Sequence, residues 1–99
     1  MKITVEYSAF LKHHLGRSSE TVETGDAWTV QDLLRDLAAR HGEPFRSTLL
    51  DANQQLRPMM LLAVDGAQVD WNIPVALRDG NVVTVLSPIA GGAPAEYRE

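Results

Sequence analysis

One segment restricts the fold more than any other. In Val30–Arg40, the residues Val30, Leu33, Leu34, Leu37 and Ala38 recur at helical spacing and form one apolar stripe. Thr29 stands at the N-cap with Asp32 three residues on, but Asp32 is shorter than the usual Glu or Gln, so a complete capping box is not expected. Trp28 and Leu33 occupy the positions of a hydrophobic staple. Arg40 and His41 suit the negative end of the helix dipole, Gly42 suits a left-handed cap, and Pro44 forbids continuation. A helix with one apolar stripe needs one apolar surface to cover it, and the rest of the chain must supply that surface.

The rest of the chain reads mainly as strands. Ile3, Val5 and Tyr7 alternate with Lys2, Thr4, Glu6 and Ser8, which predicts a strand with one buried face. Residues 9–16 break the alternation and read as a loop or short helical turn. A second strand follows over Ser19–Thr24, forming an antiparallel hairpin with the first. After the helix, Phe45–Leu50 reads as a short second helical turn and residues 51–55 as a polar loop. Met59–Val64 is a run of six apolar residues, so both of its faces should be covered. Asp65-Gly66 predicts a turn into a short return strand over Ala67–Trp71, and Asp79-Gly80 the turn before a last strand over residues 81–86. One main helix on one face of a mixed sheet of four to five strands is an α+β architecture, in which the helix carries the chain across so that the last strand can lie parallel to the first.

The chain is poor in chemistry of its own. Its 99 residues carry a net charge of −4, which argues against general nucleic-acid binding. It has no cysteine, so no disulfide, thiol nucleophile or thiolate metal site is possible, and any sulfur it carried would sit on a main-chain carboxylate. His13, His14 and His41 lack metal-site spacing and read as surface or capping residues. Asp32 and Asp36 form a like-charged pair on the exposed helix face rather than an acid–base pair in a cleft. There is no nucleophile elbow and no phosphate-binding loop. A self-contained enzyme, a bound cofactor and a bound metal are therefore not expected. No apolar run approaches a membrane span and no signal-peptide core opens the chain, so it reads as cytoplasmic.

What remains is an apolar sheet face and a tail. If Met60, Leu62 and Val64 face the helix, then Met59, Leu61 and Ala63 face away; if Val83 and Val85 face inward, then Val82, Thr84 and Leu86 face outward. Exposed apolar area beside a chain end reads as a docking site, unless the 45–57 loop or a second copy covers it. Beyond the last strand, Pro88 ends the pairing and Ile89, Ala90, Gly91 and Gly92 form a thin arm suited to a narrow channel.

The stretches TVQDLLRDLAARHG, LRPMMLLAVDG and LRDGNVVTVLSPIAGG resemble the ubiquitin-like sulfur carriers of the MoaD/ThiS type, with the resemblance covering nearly all of residues 1–92. It implies a β-grasp, or ubiquitin-like, fold. It also implies that a partner adenylates the Gly92 carboxylate with ATP and that a thiocarboxylate then forms there. Gly91 is the narrow neighbour of that residue, and Pro88, Ile89 and Ala90 belong to the arm. The chain departs from the family pattern in having seven residues, Ala93–Glu99, after the diglycine. The expected domain is therefore 1–92, with 93–99 a disordered extension removed by a JAMM-type metallopeptidase. The implied partners are an ATP-dependent adenylating or sulfurtransferase enzyme, that peptidase, and a sulfur-acceptor enzyme reached through Met59, Leu61, Ala63, Thr84 and Leu86. The destinations left open are cysteine or homocysteine, secondary-metabolite, molybdopterin and thiamine synthesis. Two other readings also stay open: a non-covalent ubiquitin-like binding module, and a modifier that forms isopeptide bonds.

Overall fold

The computed structural model of the chain describes residues 1–86, without the side chains of residues 9, 10 and 14. Its elements are β1 (Lys2–Tyr7), α1 (Ala9–Leu15), β2 (Ser19–Glu23), α2 (Val30–His41), α3 (Phe45–Leu49), β3 (Leu61–Val64), β4 (Ala67–Val69) and β5 (Val82–Leu86). The strands form one sheet in the order β2-β1-β5-β3-β4. β1 and β5 run parallel at its centre, and every other pairing is antiparallel.

The helical stripe is buried as the spacing predicts. Val30, Leu33, Leu34 and Leu37 are fully inaccessible and pack with Ile3, Val5 and Val22 of the first hairpin and with Leu62, Val83 and Val85 of the later strands. The helix start differs from expectation. Thr29 Oγ1 accepts from the Asp32 amide at 3.1 Å and Asp32 Oδ2 accepts from the Thr29 amide at 2.9 Å, so the full capping box forms. The shorter carboxylate reaches because the extended N-cap backbone brings its amide inward. The helix end differs too. Gly42 has φ 69 but ψ −154, outside the left-handed region, while its amide still bonds Ala38 O. Its carbonyl accepts from the Arg46 amide at 2.9 Å, so the next helix sets its ψ.

Other boundaries shift as well. Residues 9–15 form a true helix that buries Leu11. The return strand stops at Val69, and Trp71 lies in the following turn. Asp70 forces that stop: its Oδ1 accepts from the Asn72 amide and its carbonyl from the Ile73 amide, which closes a turn in place of a ladder. Met59 lies before β3 and is 42% exposed, whereas Met60 and Leu62 are buried and Leu61 and Ala63 half-buried. The apolar run is thus closed on one face and half open on the other. Val64, at the strand end, is only partly buried. The first part of the segment after α2 packs into the core, where Phe45 meets the rings of Tyr7 and His41 edge-on and Leu49 and Leu50 are fully buried, whereas residues 55–58 line a groove together with Leu61 at the edge of the open face.

Candidate functional site

The candidate site is the outer face of β3 and β5, at the Leu86 end of β5. Asp65 fixes where β5 starts. It and Gly66 both have positive φ, 50 and 86, as a tight hairpin turn of this hand requires. The Asp65 carboxylate then accepts from the Val82 amide at 2.8 Å and from Asn81 Nδ2 at 2.7 Å. On the other side, the Lys2 amide donates to Asp79 Oδ1 at 2.7 Å. These contacts set the register on both neighbours.

That register brings four of the expected docking residues together. Leu61 stands opposite Leu86 and Ala63 opposite Thr84, so the four share the outer face as two cross-strand pairs. Leu86 is 38% exposed, and the other three are half-buried. Across the central parallel pair the same face turns polar. Thr84 stands beside Glu6 of β1, and β2 adds Ser19, Thr21 and Glu23, all exposed. The apolar patch is therefore confined to the β3–β5 half, with Met59 exposed in the turn that enters β3. Pro88, Ile89, Ala90, Gly91 and Gly92, with the 93–99 extension, lie outside the described residues.

The end of the sheet at which β5 stops is fastened by a cluster that motif reasoning missed. The parallel ladder continues past β1 through the Ser8 amide to Val85 O at 3.0 Å. Beside it, Glu20 Oε2 accepts from the Tyr7 hydroxyl at 2.5 Å and lies 2.7 Å from His41 Nε2, with Arg17 at 3.8 Å. His41 is therefore tied into a half-buried hydrogen-bonded cluster and is not a simple surface or capping residue. Burial alone would push the Glu20 carboxyl up, but the bonds from Tyr7 and His41 and the His41 and Arg17 charges outweigh it and hold the group below its ordinary value. Burial, then the bond to Glu20 and its charge, push the Tyr7 hydroxyl well above its ordinary value. A signal was present in the sequence: Glu20 sits opposite Val5, at a strand position whose parity points inward, and an inward carboxylate demands partners.

The other predicted groups do not converge. Asp32 is a cap, and Asp36 pairs with Arg40 at 2.6 Å, so they are not two bare like charges. Among the described residues, no three His, Cys, Asp or Glu side chains are grouped to hold a metal ion, and no helix is long and apolar enough to cross a membrane.

Comparison with known proteins agrees with this geometry. The ThiS family model matches residues 5–92, so the match ends at Gly92. The molybdopterin synthase sulfur carrier subunit of Chlamydomonas reinhardtii is 28% identical over 92 residues, covering 93% of this chain and all of the relative. SAMP1 from Haloferax volcanii superposes with a TM-score of 0.82 at 20% identity, over 93% of this chain and 100% of that one, which shows a shared fold. The Amycolatopsis orientalis BexX/CysO complex contains a chain with a TM-score of 0.67 and 26% identity, over 91% of this chain and 99% of that one. The mixed five-stranded sheet with its packed helix is thus the β-grasp shared by these structures. Proteins of this type are small ubiquitin-like carriers and not themselves enzymes. The chain belongs to the ThiS family, the ubiquitin-like sulfur carriers of the ThiS/MoaD type.

Proposed function

We propose that this chain carries sulfur as a thiocarboxylate on Gly92. The observation that carries the reading is the family match, which ends at the diglycine and leaves 93–99 outside it. A JAMM-type metallopeptidase first cuts after Gly92. A partner enzyme then joins the new carboxylate to the α-phosphate of ATP, releasing pyrophosphate. A sulfide equivalent attacks the acyl adenylate, the carbon–oxygen bond to AMP breaks, and the thiocarboxylate remains. Where the donor is a persulfide, a thiol must then cleave the acyl disulfide.

The chain's own part is to present that carboxylate. Leu61, Ala63, Thr84 and Leu86, with Met59 nearby, bind the activating and acceptor enzymes, and Pro88, Ile89 and Ala90 lead Gly91 and Gly92 into their active sites. Docking through the sheet face makes the transfer effectively intramolecular. The chain itself binds no cofactor, and ATP belongs to the activating partner. Cysteine or homocysteine, secondary-metabolite, molybdopterin and thiamine synthesis all fit this chemistry as destinations.

The test is the intact mass of the protein isolated from its native host. A chain ending at Gly92 and heavier by the difference between sulfur and oxygen supports both trimming and thiocarboxylate formation. A full-length chain ending at Glu99 while the pathway is active overturns the reading in favour of a non-covalent binding module. A second reading, isopeptide attachment to lysines, is favoured by the likeness to a small archaeal modifier protein with a TM-score of 0.78. Lysine-linked conjugates on a denaturing gel would establish it.

A further inference from the structure

The positive charge of this chain is carried almost wholly by arginine. Of its nine lysine and arginine residues seven are arginine, and the lysines are Lys2 and Lys12. A guanidinium stays charged and is a poor nucleophile, whereas a lysine amine attacks activated carbonyls. The placement of these two side chains therefore bears on any carbonyl activated at Gly92.

The fold sets them at opposite ends of the sheet. Lys12 lies in α1, which starts at the end where β5 stops. There the Ser8 amide donates to Val85 O at 3.0 Å, and one turn on the Lys12 amide donates to Ser8 O at 2.8 Å. Hydrogen-bonded strands lie about 5 Å apart and a helical turn rises about 5–6 Å, so the Lys12 backbone is within roughly 12 Å of Val85. Lys12 is exposed and forms no ion pair among the described residues. The six residues from Ser87 to Gly92 can span about 20 Å, enough to turn back to Lys12 with slack. Lys2 is less well placed. Thr4 of β1 stands beside Val82 of β5, so Lys2 lies two steps before that pair and Leu86 four steps after it, about 20 Å apart along the sheet. An arm of that length meets Lys2 only when nearly straight. The Met1 amine is at the same far end and donates to Thr24 O at 2.6 Å.

We propose that Lys12 is the acceptor of an internal isopeptide bond to Gly92 of the same chain, formed when the activated carboxylate meets no sulfur donor. This rests on the activation of Gly92 described above. Lys12 Nζ adds to the Gly92 carbonyl carbon, the bond to the AMP oxygen breaks, and the amine gives up a proton to water. The product is a closed chain, one water lighter, that carries no sulfur. Closing so short a loop sets the amine at an effective concentration on the order of millimolar. A thiocarboxylate is a poor acyl donor, so a chain already loaded with sulfur is spared.

All eight described elements lie before residue 87, so a chain ending at Gly92 keeps the whole fold. Made by intein cleavage as a C-terminal thioester and held at low micromolar concentration, that chain tests the proposal without an activating enzyme. A closed chain, one water lighter than its hydrolysed form, is expected, with Lys12 joined to Gly92 in the protease map. Linkage at Lys12 should exceed that at Lys2 or Met1 at least about tenfold. Lys12→Arg, which keeps the charge, should abolish closure, and Lys2→Arg should leave it intact. Equal linkage at Lys2 or Met1, closure that survives Lys12→Arg, or dimers joined between two copies in place of closed chains would overturn the proposal. Hydrolysis alone, while added glycinamide is acylated, would also overturn it. By contrast, no pyrophosphate release with the activating enzyme and ATP would refute the carrier reading and leave the thioester result standing.

Discussion

Glu20→Ala asks whether the Tyr7–Glu20–His41 cluster holds the end of the sheet at which β5 stops. The substitution deletes the acceptor of the 2.5 Å bond from Tyr7 and of the 2.7 Å contact with His41. Tyr7 is 5% exposed, so water cannot fully replace the lost partner. A hydrogen bond to a charged group contributes about 1.5–3 kcal/mol, and little of this is screened at a carboxylate whose side chain is 10% exposed. His41, at 18%, regains water more readily. The expected loss is therefore about 2–4 kcal/mol, a fall in Tm of roughly 10–25 °C for a domain of this size. Because the folded Glu20 carboxyl lies below its ordinary value of 4.5, its stabilisation is present above that pH and lost as pH falls through the folded value. The gap between wild type and Glu20→Ala in thermal melts should accordingly be full at about pH 7 and narrowed at about pH 3. Tyr7→Phe should cost about 1.5–3 kcal/mol alone and much less in the Glu20→Ala background. A loss below about 0.5 kcal/mol, or a gap that does not change with pH, would refute this account of the cluster.

Four further outcomes are expected. Gly92→Ala in a chain ending at residue 92 should leave the melting curve unchanged and abolish thiocarboxylate formation, read by mass after incubation with the activating enzyme, ATP and a sulfur donor. Leu61→Asp or Leu86→Asp should weaken binding of that enzyme at least about tenfold in calorimetry while costing the fold only about 1 kcal/mol, since both sites are partly exposed. Leu37→Ala, at a fully buried position, should cost about 2–5 kcal/mol in denaturant unfolding. Gln31→Ala leaves two loop carbonyls without their donor and should speed hydrogen exchange at the Val75 amide, which now bonds Gln31 Oε1 at 3.4 Å.

Periodicity and turn chemistry determined much of this protein. The 3.6-residue stripe of Val30–Ala38 and the alternation of Ile3, Val5 and Tyr7 each define one buried face, and solvent sorts side chains by such local rules wherever the segment ends up. Asp65-Gly66 had to turn, since few other pairs tolerate positive φ at both positions. The inward and outward parities of Leu61 to Ala63 and of Val83 to Leu86 follow from the strand period alone. Only the tertiary structure decided which outward residues meet. Register joins Leu61 to Leu86 and Ala63 to Thr84, and it is set by the turn and by the Asp65 carboxylate reaching Asn81 and Val82, 16 and 17 residues away. The same holds for Glu20 with His41, 21 residues apart, and for Gln31 with Trp71, 40 residues apart. No local pattern encodes such pairs, because a polar side chain's partner is whatever folding brings within about 3 Å of it, and the chain between them leaves no periodic trace.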